Sequence, residues 1–178
     1  MLIEPMNTIL ARWNALDVEA AAAEILPCCG ASAWARALAE HRPFVSLETL
    51  AKASDAIWLA LPREDWMEAF DSHPRIGQTH AKATAQSLAW SAGEQGTPDE
   101  IAKAKLAVGN ARYEERFGRI FIVCATGKTP MEMLAILEGR LQNDPETELL
   151  EAAEQQRQIT QIRLRKWLAS HTNDGEAK

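Results

Sequence analysis

Thr97-Pro98-Asp99-Glu100, Thr129-Pro130-Met131-Glu132 and Asp144-Pro145-Glu146 open three stretches of the chain in nearly the same way. In each, an oxygen-bearing side chain precedes a proline, and a carboxylate follows within the first turn. The oxygen accepts from an amide that a helix start would otherwise leave without a partner. Proline needs no donor at the first helical position, and the acid favours the positive end of the helix dipole. Ala, Leu, Glu, Gln and Lys dominate the chain and strand-like runs are few, so these starts set the reading as helical. The helix from Pro98 is expected to stop at Phe117-Gly118, where glycine is the usual terminator. The helix opened by Asp144-Pro145 is a long C-terminal one.

Earlier elements follow by the same logic. Asp17 caps a short alanine-rich helix that ends near Ile25, ahead of Pro27. Ser32 caps a helix carrying Trp34 and Leu38, which stops before Pro43. Ser46 begins another with Leu47, Leu50, Ile57, Trp58 and Leu61 at roughly helical spacing. Pro62 interrupts it, and a short segment with Trp66 and Phe70 leads into His73. Residues 119–125 are the one apolar run that could form a strand. Being isolated, it is expected as a buried extended connection. The fold class is therefore all-α: a single compact multi-helix domain over residues 1–170, with a polar tail at 171–178. The six tryptophans are expected in core or interface.

A chain of 178 residues is long enough for one domain with a sizeable core. Its net charge of −6, without a basic stripe, argues against a nucleic-acid partner. Apolar runs fall short of the ~20 residues that cross a bilayer, so no membrane partner is expected. Met1-Leu2-Ile3-Glu4-Pro5 lacks the basic and apolar regions of a secretory signal, and Gly175-Glu176-Ala177-Lys178 is not a peroxisomal address. Cys28, Cys29 and Cys124 do not suggest a disulfide framework, which fits a reducing cytoplasm. Cys124, within Ile120-Phe121-Ile122-Val123-Cys124-Ala125, reads as a buried small hydrophobe.

Chemistry concentrates in two turn-like stretches, His73-Pro74-Arg75-Ile76-Gly77 and Ser91-Ala92-Gly93-Glu94-Gln95. They supply an imidazole, a carboxylate, a carboxamide and a hydroxyl, a set suited to moving protons near neutral pH and to reading a ligand's N–H and C=O groups. The remaining histidines have plainer readings: His41 at a helix end, His171 in the tail, His80 in a Thr/Ala/Lys-rich stretch. No zinc-ligand spacing, phosphate loop, nucleophile elbow or dinucleotide fingerprint is present. Glu114, Glu115 and Arg116 read as a solvated helix face. Ile159, Arg163 and Trp167, four apart, share one face of the last helix. Arg163 there either snorkels to the surface or presents a planar fork to a pocket, where it would hold a carboxylate or polarised carbonyl.

Taken together and in order, these residues resemble the OHCU decarboxylase family, named for 2-oxo-4-hydroxy-4-carboxy-5-ureidoimidazoline. The resemblance runs through the two turn motifs and through Tyr113-x-x-x-Phe117-Gly118 with Phe121-Ile122-Val123-Cys124. Arg140-Leu141-Gln142-Asn143-Asp144-Pro145-Glu146-Thr147-Glu148 is similar to the family's Arg-Leu-x-Asn-Asp-x-Glu-Thr-Glu signature, and Ile162-Arg163-Leu164 also fits. Residues 34–44, ending Arg42-Pro43-Phe44, add support. The resemblance implies an all-helical, cofactor-free, commonly dimeric enzyme of uric acid degradation that releases CO2 and yields (S)-allantoin. It implies His73 as the catalytic residue; Glu94 is read as catalytic with it, where its carboxylate could bind N–H groups and hold His73 in position. Pro74, Ser91, Gln95 and Arg163 would line the substrate site, with backbone groups of Ile120, Phe121, Ile122 and Val123. Where the family often has Phe-Pro-Phe-Ile, this chain has Arg119-Ile120-Phe121-Ile122.

Two other readings stand beside it. One is a metal-dependent hydrolase using His73, His80 and Glu94. The other is a non-catalytic helical binding module, against which the intact set of His73, Glu94, Gln95 and Arg163 argues.

Overall fold

The computed structural model describes residues 7–74 and 97–170. Its regular elements are all helical, and no strand occurs among the described residues. In chain order they are α1 (Thr8–Asn14), α2 (Val18–Ile25), a 3-10 turn at Leu26–Cys28, α3 (Ser32–Glu40), α4 (Leu47–Ala60), α5 (Arg63–Asp71), α6 (Pro98–Phe117), α7 (Pro130–Arg140) and α8 (Pro145–Ala169). The long C-terminal helix is thus present, at 25 residues.

The caps explain the starts. Thr97 and Thr129 each accept from the amide three residues on, at Glu100 and Glu132, and those glutamates reach back to the cap amides, closing two capping boxes. Asp144 Oδ1 accepts from the amides of Glu146 and Thr147 at 3.1 and 3.0 Å. Asp17 and Ser46 cap α2 and α4 as expected. Ser32 does not cap α3. It is the first helical residue, after Ala31, and its N–H and Oγ–H both donate to Glu68, at 3.1 and 2.5 Å. The hydroxyl serves a link to α5 in place of a local cap. Helix α1 was not anticipated from the sequence, although Asn7 caps it through the amides of Ile9 and Leu10.

The chain's contacts group into two compact units, Met1–Ala69 with Gln156–Lys178, and Phe70–Gln155. In the first, α3 buries Trp34, Ala35, Leu38 and Ala39 as one stripe. Trp34 Nε1–H donates to Ser54 Oγ (3.2 Å), and Trp66 Nε1–H to the Trp58 carbonyl (2.9 Å). Trp13 is fully buried, stacked on Phe44 and edge-on to Trp167. The described tryptophans are therefore packing material, as expected. His41 ends α3, and its Nδ1 bonds the Ala37 carbonyl at 2.7 Å.

In the second unit, α6 and α7 pack through Ala102, Leu106, Tyr113, Leu134 and Leu137, with Phe121 and Val123 in the same cluster. Gly109 permits the approach: a methyl group there would lie 2.5 Å from Leu137 Cδ2. Arg116 is not merely a solvated charge, since it donates to the Asn143 carbonyl at 3.0 Å.

Leu38 has no solvent exposure, so Leu38→Ala removes buried apolar atoms that the α3 stripe cannot readily replace. Truncations of this kind cost about 2–5 kcal/mol. The expected result is a thermal midpoint lower by about 5–15 °C, read by far-ultraviolet circular dichroism. An unchanged midpoint would remove the α3 stripe from the core.

Candidate active site

Helix α5 delivers His73. Ala69 and Phe70, both fully buried, fix where the last turn of α5 sits, and the His73 amide closes onto the Phe70 carbonyl at 3.1 Å. The imidazole therefore leaves the chain just beyond a helix end held by its apolar neighbours. It is half-buried, and Pro74 after it is exposed.

The sequence predicted a buried connection over residues 119–125; residues 120–125 carry neither helix nor strand, and burial is confined to 121–124, with 119 and 120 half-buried and Ala125 exposed. Gly118, at φ +69°, turns the chain out of α6 in a conformation that costs glycine little. Phe121, Ile122, Val123 and Cys124 are then all buried. Buried backbone needs partners, and no strand among the described residues provides them. Side chains do so instead. Arg140 Nη1 donates to the Ile122 carbonyl (2.5 Å), Gln155 Oε1 accepts from the Cys124 amide (2.8 Å), and Lys128 Nζ donates to the Cys124 carbonyl (2.8 Å).

Arg140 belongs to a buried cluster. Its Nε and Nη2 donate to Glu148 Oε1 at 2.8 and 2.5 Å, and Tyr113 Oη donates to the same oxygen at 2.5 Å. Asn143 Nδ2 donates to Glu148 Oε2 at 2.9 Å. The guanidinium also lies 4.7 Å from the Phe121 ring centroid. Burial and the Glu148 carboxylate push the Tyr113 phenol well above its ordinary range, so it stays protonated as a donor.

Arg163 lies in the first unit, half-buried on α8, and its Nη1 donates to the Pro27 carbonyl at 3.2 Å. The fully buried line of α8 runs through Gln156, Thr160 and Leu164, and Ile159, Arg163 and Trp167 sit beside it, each half-buried. The arginine thus neither sinks into an apolar wall nor extends to solvent. It reaches the carbonyl end of the 3-10 turn, where a cation complements the local dipole.

The structure therefore places His73 and Pro74 at the end of α5, groups Ile120, Phe121, Ile122 and Val123 in one segment, and sets Arg163 on α8. Ser91, Glu94, Gln95 and His80 lie outside the described residues. Among the described residues, no group of three or more His, Cys, Asp or Glu is arranged to hold a metal, and no helix is long and apolar enough to cross a membrane. A cavity of about 470 Å³ along α6 and α7 is lined by Ile101, Val108, Leu134 and Leu137 among others, and none of the predicted site residues that are described lines it. Arg140 and Glu148 fall within the signature at residues 140–148, but their pairing is not legible from it. Opposite charges eight residues apart across a helix–turn–helix boundary were the available signal.

These features define a class: a protein whose described elements are all helical, with a histidine just beyond a helix end and a buried non-helical segment pinned by side chains. The sequence profile of the OHCU decarboxylase family matches residues 14–165. The chain belongs to that family. It is 38% identical over 144 residues to the uric acid degradation bifunctional protein TTL of Arabidopsis thaliana, which covers 78% of this chain and 44% of that protein. It is 31% identical over 157 residues to the 2-oxo-4-hydroxy-4-carboxy-5-ureidoimidazoline decarboxylase of Amia calva, covering 84% and 86%. A crystal structure of OHCU decarboxylase in the presence of (S)-allantoin matches with a TM-score of 0.69 and 33% identity, over 82% of this chain and 97% of that one. The chain spans only 27–44% of the length of the three bifunctional relatives it matches.

Cys28 and Cys29 lie beside Arg163 at the 3-10 turn, both free and buried. Burial pushes each thiol from 9.0 up to about 11, with the Arg163 charge opposing it. The folded state holds these protons more tightly than the unfolded chain. Their contribution to stability is complete below about pH 9 and is lost as pH rises toward 11. The expected outcome is slow iodoacetamide labelling of both residues at pH 8 in native protein, rapid labelling in urea, and a melting midpoint that falls above pH 9. Fast native labelling at pH 8 would refute the burial.

Proposed function

We propose that this chain decarboxylates 2-oxo-4-hydroxy-4-carboxy-5-ureidoimidazoline to (S)-allantoin. The observation that carries the reading is the family match over residues 14–165, with the site motifs at His73-Pro74, Ser91-x-x-Glu94-Gln95 and Arg163 intact. The Amia calva relative is the decarboxylase of this ureidoimidazoline, and the matching crystal structure was obtained in the presence of (S)-allantoin.

The chemistry is compatible with these side chains alone. The departing carboxylate sits on a carbon next to a C=N bond, and that bond accepts the electron pair as CO2 leaves, so the substrate is its own electron sink. What the protein must do is orient the carboxylate and manage protons. His73 takes the proton of the neighbouring hydroxyl as the carbonyl forms, or delivers one to the developing nitrogen anion. Glu94 binds ureido or ring N–H groups and holds His73. Gln95 and Ser91 read the amide edge of the ring, Pro74 packs against it, and the backbone of residues 120–123 completes the wall. Arg163 anchors a negatively charged oxygen. A homodimer in a reducing cytoplasm is the expected setting, and the free thiols of Cys28, Cys29 and Cys124 suit such a compartment.

The direct test supplies freshly generated substrate to protein dialysed against EDTA and follows its decay by absorbance and circular dichroism. Enzyme-dependent appearance of (S)-allantoin is expected. Activity that vanished and returned with one added metal would favour the hydrolase reading through His73, His80 and Glu94.

His73→Asn should lower kcat by about 10²–10⁴ without changing the melting curve, because the imidazole leaves the chain beyond a helix end and supplies the proton transfer. Wild-type turnover by the folded variant would sink the assignment. Arg163→Lys should lower kcat/KM while leaving the thermal midpoint close to wild type. An ammonium can still meet the Pro27 carbonyl but does not reproduce a planar contact with a substrate oxygen. Unchanged kinetics would remove Arg163 from the site.

A further inference from the structure

We infer that the buried Arg140–Glu148 pair is a positioning device for the substrate-facing backbone of residues 120–123. The inference rests on the reading above that this stretch lines the site.

The guanidinium divides its donors between two jobs. Nε and Nη2 are committed to Glu148 Oε1, and Nη1 to the Ile122 carbonyl. The carboxylate is fixed in turn by Tyr113 from α6 and by Asn143 from the turn before α8. The plane of Arg140 is therefore set by groups on either side of it, and that plane sets the direction of one carbonyl. Because a peptide unit is planar and trans, fixing the Ile122 C=O toward Arg140 directs the Val123 N–H the opposite way. Gln155 acts likewise on the next peptide through the Cys124 amide, and Lys128 on the one after through the Cys124 carbonyl. Three consecutive peptide planes are thus held by side chains, where a sheet would have used neighbouring strands.

Stability alone is a poor reason for such a pair. Desolvating two charges offsets most of their attraction, and apolar replacements of similar volume are often as stable. An apolar pair would fill the space, but it would not orient a carbonyl. A rigid backbone edge has a use in this family's reaction, because a substrate with ureido and ring amide groups can be held by N–H and C=O groups at fixed angles.

The test is Arg140→Lys, assayed beside Leu38→Ala at temperatures equally far below their melting midpoints. Lysine keeps the charge but cannot meet the carboxylate and the carbonyl in one plane. The expected result is a kcat/KM lower by about tenfold or more with a raised KM, the scale of one charge-assisted hydrogen bond. Leu38→Ala, destabilised elsewhere, should keep both constants. Amide hydrogen exchange supplies a readout independent of turnover: the Cys124 amide, which donates to Gln155 one peptide beyond the pinned carbonyl, should exchange faster in Arg140→Lys, while the amides of α6 and α7 stay protected. If Arg140→Lys does not fold, Tyr113→Phe, which removes one donor to Glu148, should show the same direction in KM and in exchange. Wild-type-like exchange at Cys124, or a kinetic loss no greater than that of Leu38→Ala, would overturn the inference. A wild-type protein that leaves the substrate untouched would instead refute the proposed function, and exchange would still decide the positioning role.

Discussion

Glu148 has no exposure to water, and an ionised carboxylate in that position must be met by a cation and by donors. Arg140, Tyr113 and Asn143 meet it, and the arrangement of the second unit follows from that requirement. Tyr113 ties α6 to the start of α8. Arg140 ties the end of α7 to the same carboxylate and, through its remaining prong, to the Ile122 carbonyl. Removing one partner would leave an uncompensated buried charge, at a cost of about 3–5 kcal/mol. The apolar cluster of Leu106, Leu137, Phe121 and Val123 supplies the bulk of the packing, and the charged pair fixes the orientation of the chain within it.

The first unit meets a similar need with amide and hydroxyl groups beside one half-buried ion pair. The inward line of α8 carries Gln156 and Thr160, with Gln161 beside it, in place of uninterrupted leucines. Gln156 donates to the Cys29 carbonyl (3.3 Å), and Gln161 to the Ala51 carbonyl (3.0 Å) and to Asp55 (2.7 Å). Arg157 pairs with Asp55 at 3.0 Å, and Arg163 holds the Pro27 carbonyl. These contacts fix the register of α8 against α4 and the 3-10 turn more strictly than apolar packing would, because each is directional. Arg163 is thus seated on the same carbonyl-rich turn that buries the two thiols.

Helices whose starts are written locally were legible from sequence. A cap oxygen, a proline and an early acid act within four residues, so Thr97, Thr129 and Asp144 announced α6, α7 and α8 without reference to anything distant. Ser32 misled for the same reason. Its hydroxyl is of the capping type, but Glu68, thirty-six residues away, competes for it and wins. Helix α1 was missed because its Asn7 cap has neither proline nor acid behind it, and Ile9, Leu10 and Trp13 are too few to show a period. Of the candidate site, His73 and Pro74 were legible as a turn motif. The positions of Ile120, Phe121, Ile122 and Val123 were legible only as an apolar run.

The sequence by itself determined the class of the fold, the ends of most helices, the burial of the middle of the isolated apolar run, at 121–124, and, through motifs spread along the chain, the family. These are local or patterned properties, carried by capping chemistry and hydrophobic periodicity. Tertiary structure decided which polar groups meet. That Arg140 would turn two donors to Glu148 and one to Ile122, that Arg163 would rest on Pro27, and that Gln155 and Lys128 would replace a neighbouring strand are outcomes of long-range packing. A side chain's type gives its capacity for hydrogen bonds, but only the assembled core fixes which acceptor lies within about 3 Å of each donor.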